Sequence, residues 1–100
     1  LKHANKFECD KSKARSNFQK HGIRFTEGCR IFDGHALTLP SKQNADTKEE
    51  RYVTIGALSD QIAAIVIWTR RVDHVRVISV RKASRQERER FHAHIQKTIN

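Results

Sequence analysis

Hydrophobic positions crowd into the second half of this chain, in three blocks. Arg51 to Leu58 is rich in β-branched and aromatic residues, Ile62 to Thr69 is an almost unbroken apolar run, and His74 to Arg81 sets arginines among valines. Such blocks predict three β-strands, the middle one buried on both faces. The gaps between them, Ser59-Asp60-Gln61 and Arg70 to Asp73, have hairpin length, so an antiparallel meander is expected. Ser84, with Glu87 three positions on, has the pattern of a capping box and predicts a helix from Arg85 to about Thr98. The apolar residues of that helix, Phe91, Ile95 and Ile99, all fall in its second half, so its first two turns face solvent or a partner.

The first half of the chain is thinner in signal. Phe7 to Asp10 predicts a short edge strand, and Asp10 can cap a helix over Lys11 to His21 that Gly22 closes. Its apolar stripe is only Ala14 and Phe18, flanked by Asn17 and His21, and its outer face is basic. Thr26 can cap a second, shorter helix ending at Asp33-Gly34, with Phe25, Cys29 and Phe32 on one face toward the core. Ala36 to Pro40 predicts another short strand, and the polar stretch from Ser41 to Glu49 a mobile surface loop. The fold class expected is α+β in a single domain over residues 1–100: two N-terminal helices, an antiparallel meander and a C-terminal helix.

Charge changes this picture most. Twenty basic against eleven acidic residues give a net charge of +9 in 100 residues, which points to a polyanion or an acidic partner. Cys9 and Cys29, the only cysteines, lack zinc-like spacing and are expected as two free thiols in a reducing cytoplasm. No apolar run approaches the ~20 residues that span a bilayer, and the start of the chain does not resemble a signal peptide. The chain has no methionine, even at residue 1, so the native start is expected upstream or trimmed away.

Scattered motifs then converge on one family. Phe7-Glu8-Cys9-Asp10, Lys13, Asn17, Lys20-His21-Gly22, Phe25 and Ile31-Phe32 resemble the N-terminal half of BrnT-type toxins. Glu50-Arg51, Ile55-Gly56, Thr69-Arg70, Arg76 to Ala83 and Glu87-Arg88 resemble the C-terminal half. The similarity runs in order along nearly the whole chain, with Cys9 standing where many members are expected to have Trp. The resemblance implies a RelE-like fold and cleavage of messenger RNA that halts growth. It also implies neutralisation by a ribbon-helix-helix antitoxin, and leaves open a dimer within the toxin–antitoxin complex.

RNA cleavage without a metal requires a base for the 2′-hydroxyl proton, an acid for the leaving 5′-oxygen, and cations for the phosphorane. The sequence offers no cluster of Asp, Glu, His or Cys at ligand spacing, so no metal and no cofactor are expected; arginine and lysine are abundant. Strand pairing sorts them into Arg51, Arg70, His74 and Arg76 at one end of the meander and Arg81, Lys82 and Arg85 at the other. At ~3.3 Å per residue the two groups lie roughly 16 Å apart. The catalytic set expected is Arg81, Lys82, Arg70 and Arg76, with Arg51, His74 and Arg85 binding RNA. The Arg81-Lys82 end is favoured for the chemistry because the amides of the last helix and Arg85 converge there. Lys82 is then a candidate proton donor or acceptor, and His74 the best histidine for a general acid.

Each assignment has a structural alternative. Arg51, Arg70 and Arg76 can pair with Glu49, Glu50 and Asp73 at the surface, Arg81 and Lys82 can be a solvated strand end, and Tyr52 can be core. The competing functions are a non-catalytic basic RNA-binding module and an interaction protein that docks on an acidic partner.

Overall fold

A computed structural model describes residues 7–41 and 49–99. Its centre is the expected meander: β3 (Arg51–Ala57), β4 (Ala63–Arg70) and β5 (Val75–Lys82), each antiparallel to the next. Nearly every residue of β4 is buried, as its continuous apolar run requires. β2 (Ala36–Pro40) adds antiparallel to β3, and β1 (Phe7–Glu8) adds parallel to β5, giving the order β1-β5-β4-β3-β2. Opposite Ile67 and Trp68 the register slips by one, leaving Ile78 without a partner across the ladder. The loop expected from Ser41 to Glu49 falls, for residues 42–48, outside the described residues.

One sheet face carries the core. Ala64, Val66, Trp68, Val75, Val77 and Val80 pack there against Ile23, Phe25, Cys29 and Ile31. α1 (Lys11–His21) starts as expected, with the Asp10 carboxylate accepting from the Ser12 and Lys13 amides at 2.8 and 3.2 Å. Gly22 ends it in the left-handed region at φ 71°, where a side chain would be strained. The stripe of α1 differs from the expected one: Phe18 is 42% exposed beside the Arg24 guanidinium, and Asn17 is buried instead. The Asn17 amide donates to the Val80 carbonyl at 2.7 Å and accepts from the Val80 N–H at 3.2 Å. It thereby stands in for a neighbouring strand along an edge of β5 that β1 is too short to cover.

The second helix is shorter than expected. α2 is a single turn, Phe25–Gly28, that begins after Arg24 rather than Thr26 and passes into a 3₁₀ helix over Cys29–Asp33. This segment lies almost in contact with the sheet backbone. A Cβ on Gly28 would strike Val80, and one on Gly56 would fall 2.7 Å from the Ile31 Cβ. Burial pushes the Cys29 thiol up to about 12, whereas Cys9 is exposed; neither forms a disulfide.

Among the described residues, the opposite sheet face is covered at one end only. α3 (Arg85–Ile99) crosses beside Arg81 and buries Phe91. Away from it, Leu37, Val53, Ile55 and Ile67 stay half-buried, and Leu39 is 53% exposed. No described helix is long and apolar enough to cross a membrane.

Candidate active site

Side chains alternate between sheet faces along a strand, and that alternation decides which basic residues can act together. Arg51 pairs with Thr69, and Thr69 with Arg76, so the three lie in a row across β3, β4 and β5 on the partly open face. Arg70, next to Thr69, points the other way. Its guanidinium sits 5.9 Å from both the Tyr52 and the Trp68 ring centroids and makes no ion pair among the described residues.

β1 brings an acid to this row. Its parallel pairing sets Glu8 opposite Arg76, whose Nη1 donates to Glu8 Oε1 at 2.7 Å. The other Glu8 oxygen lies 3.1 Å from His74 Nε2, and Asp73 Oδ1 lies 2.7 Å from His74 Nδ1. The hydrogen bond from Arg76, and then the close His74 ring, lower the Glu8 pKa, while the hydrogen bond to Asp73, and then the close Glu8 carboxylate, raise that of His74 above its ordinary 6.5. Arg51 Nε lies 3.6 Å from Glu49, which also meets Arg71 at 3.3 Å. The expected surface pairing of Arg51 is therefore present, and Arg76 pairs with Glu8 rather than with Glu49, Glu50 or Asp73. Glu8 was not among the expected site residues. Its strand was legible, but nothing local shows that residue 8 lies beside residue 76.

At the other end, the expected convergence does not form. Arg81 pairs with Ile65 and faces the α3 side, while Lys82 pairs with Ala64 and faces the core side. Consecutive strand residues leave the backbone toward opposite faces of the sheet. The α3 N-terminus is already occupied: the Ser84 N–H donates to Glu87 Oε1 at 2.9 Å and the Glu87 N–H to Ser84 Oγ at 3.1 Å. Arg81 closes on the same carboxylate through two bonds of 2.8 and 2.9 Å. Arg85 reaches Glu89 at 3.2 Å with its side chain 85% exposed. Arg81 therefore ties α3 to the sheet.

Arg81, and then the Ser84 amide, hold the Glu87 carboxyl at about 2, below its ordinary 4.5. A carboxylate whose folded pKa is depressed stabilises the fold above its unfolded pKa, and that contribution fades as pH falls through the folded value. Thermal melts of the protein and of Glu87→Gln should therefore differ near neutrality and converge between pH 4.5 and 2. A gap that persists unchanged at pH 2 would refute the assignment.

Among the described residues, no group of three or more His, Cys, Asp or Glu is placed to hold a metal ion. A small, strongly basic α+β chain with guanidinium groups in a row on a partly open sheet face defines a protein built to meet a polyanion. A family profile described as "Ribonuclease toxin, BrnT, of type II toxin-antitoxin system" matches residues 9–87. The chain thus belongs to the BrnT family of ribonuclease toxins, whose type II systems pair the toxin with an antitoxin. Among solved structures, the Brucella abortus ribonuclease toxin BrnT is similar at a TM-score of 0.63 and 31% identity, over 79% of this chain and 96% of that one. No curated protein matches the chain.

Proposed function

We propose that the chain is an endoribonuclease that cleaves messenger RNA without a metal, inhibiting translation and growth in the cytoplasm. In this reading it is one RelE-like domain, neutralised by a ribbon-helix-helix antitoxin whose acidic side chains meet the Arg51-Arg76 face. The observation that carries the reading is the Arg51-Thr69-Arg76 row with His74 and Glu8 beside it. A guanidinium cannot exchange a proton near neutrality, so a centre built only of arginines lacks an acid and a base. His74 supplies the acid. Asp73 and then Glu8 raise its pKa, which favours the protonated ring, and it gives its proton to the leaving 5′-oxygen. Arg51 and Arg76 take the charge of the phosphorane.

Glu8 is the nearest base. Arg76 is the largest cause of its lowered pKa, so an incoming phosphate that engages Arg76 makes Glu8 more basic as the substrate arrives. Arg70 binds the RNA strand from the other side of the sheet end. Arg81 positions α3, and Lys82 and Arg85 contribute long-range attraction for RNA. Centring the chemistry on His74 rather than on the Arg81-Lys82 end follows from the opposed faces of those two residues.

The test is RNA cleavage by the purified protein in EDTA, measured against pH. Cleavage should persist with the chelator, and its rate should fall on the alkaline side with a midpoint above 6.5, as His74 loses its proton. His74→Gln should lower the rate ~100-fold and erase that alkaline limb. Cleavage abolished by EDTA and restored by a divalent cation would rule out the metal-free mechanism. An unchanged alkaline limb in His74→Gln would remove His74 from the role of acid.

A further inference from the structure

We infer that Glu50, Tyr52 and Arg70 form a guanine-binding subsite, which makes the protein selective for RNA carrying guanine at a fixed position beside the cut. The inference rests on the ribonuclease reading for its place in catalysis, but the subsite itself is visible without it. Tyr52 is the outer leaf of an aromatic stack: its ring lies on that of Trp68 with centroids 4.7 Å apart and planes 28° from parallel. Trp68 is a rigid backing. It is 1% exposed, its Nε1–H donates to Thr54 Oγ1 at 2.8 Å, and Phe32 meets it edge-on at 6.0 Å.

Two clefts share Glu50 and Tyr52. One, of ≈ 460 Å³, is lined also by Thr69, Arg70 and Arg71; the other, of ≈ 280 Å³, by Pro40, Ser41 and Arg51. The larger falls in the roughly 300–1,000 Å³ range of small-ligand sites. The Tyr52 hydroxyl donates to Glu50 Oε2 at 3.1 Å, which holds an exposed carboxylate at the edge of the ring. The Arg70 guanidinium stands over the same rings.

Each group has a separate task in holding a nucleotide. An aromatic face stacks any base, so Tyr52 supplies affinity without choice. A carboxylate only accepts hydrogen bonds, so it chooses among bases by their donors. Guanine presents two adjacent donors on its Watson–Crick edge, N1–H and N2–H₂, which match the two carboxylate oxygens. Adenine and cytosine place a ring acceptor beside their amino group, and uracil flanks its one N–H with carbonyls. Both of those arrangements set lone pairs against the carboxylate. Arg70, on the same cleft, meets the phosphate of the stacked nucleotide. Arg51 lines the smaller cleft beside Tyr52 and also belongs to the Arg51-Thr69-Arg76 row on the opposite face, so a strand that turns around this end of the sheet meets subsite and catalytic row together.

Trp68, the only tryptophan, gives a direct readout through its contact with Tyr52. Titrating the protein with GMP and with AMP, followed by tryptophan fluorescence, should show GMP binding at least ~10-fold tighter, as for one well-placed bidentate pair. Glu50→Gln, which puts an amide N–H₂ against the guanine amino group, should bring the two nucleotides within ~2-fold. Tyr52→Leu should weaken both, with circular dichroism confirming that each variant is folded. In parallel, cut sites in a randomised RNA should be enriched in guanine at one fixed position, and Glu50→Gln should lose the enrichment. GMP and AMP binding alike, or selectivity unaltered in Glu50→Gln, would overturn the subsite. Guanine-selective binding without RNA cleavage would instead sustain the subsite and sink the ribonuclease reading.

Discussion

Replacing Arg76 with alanine is expected to slow RNA cleavage ~100-fold or more while RNA binding weakens only modestly. A donor aimed at charge that develops in the transition state acts on rate more than on ground-state affinity. Arg76 stands in the same row as Arg51 and shares Glu8 with His74, so its loss removes a cation from the phosphorane and the partner that tunes the base. The competing explanation is that Arg76 only fastens β1 through its 2.7 Å bond to Glu8. Glu8→Ala breaks the same tie, so two melting curves separate the cases. If β1 detachment were the cause, both variants would lose the same stability and Arg76→Ala would recover activity on cooling. Arg81→Ala is the matched comparison. It should lower the stability of α3, because Glu87 loses its bidentate partner, and change turnover by less than about 10-fold, a span of 1.4 kcal/mol. A silent Arg76→Ala beside a dead, folded Arg81→Ala would return the catalytic centre to the α3 end.

The largest expected stability loss belongs to a residue with no part in the chemistry. Asn17→Ala removes both hydrogen bonds to Val80 and strands a backbone N–H and C=O at the edge of β5, where Val80 is fully buried. An unsatisfied buried polar group costs ~1–3 kcal/mol, so the pair should cost about 3 kcal/mol. For a chain of this size that lowers Tm by roughly 12–24 °C, at about 4–8 °C per kcal/mol. Asn17→Asp sharpens the test. It keeps an acceptor for the Val80 N–H but sets a second oxygen against the Val80 carbonyl, so it should be at least as damaging. A loss below ~1 kcal/mol in both variants would show that water replaces the amide and that the edge needs no protection.

Local signals placed most of the elements within a residue or so. The three meander strands, the Asp10 and Gly22 ends of α1, and the Ser84-Glu87 box were all legible, because each depends on side chains within a few positions of one another. The family, too, was legible in the order of its short motifs. Sequence neighbours are not always spatial neighbours. Arg81 and Lys82 look like one basic pair in the sequence, but the strand sends them to opposite faces, as it does Thr69 and Arg70. Likewise Phe18 looked like the buried residue of α1 because it is apolar. Asn17 is buried instead, because an open strand edge needs hydrogen bonds that a phenyl ring cannot make.

By itself, then, the sequence determined the meander strands, the caps of α1 and α3 and the positive charge, all of which follow from the geometry of a few consecutive residues. Only the tertiary structure decided that Glu8 lies against Arg76 and His74, that Arg81 closes on the Glu87 carboxylate, and that Tyr52 has a rigid ring behind it. Those contacts depend on which sheet edge β1 joins and on which face α3 lies. Such choices rest on the burial and hydrogen-bond satisfaction of the whole chain, and residues 68 positions apart carry no local sign of them.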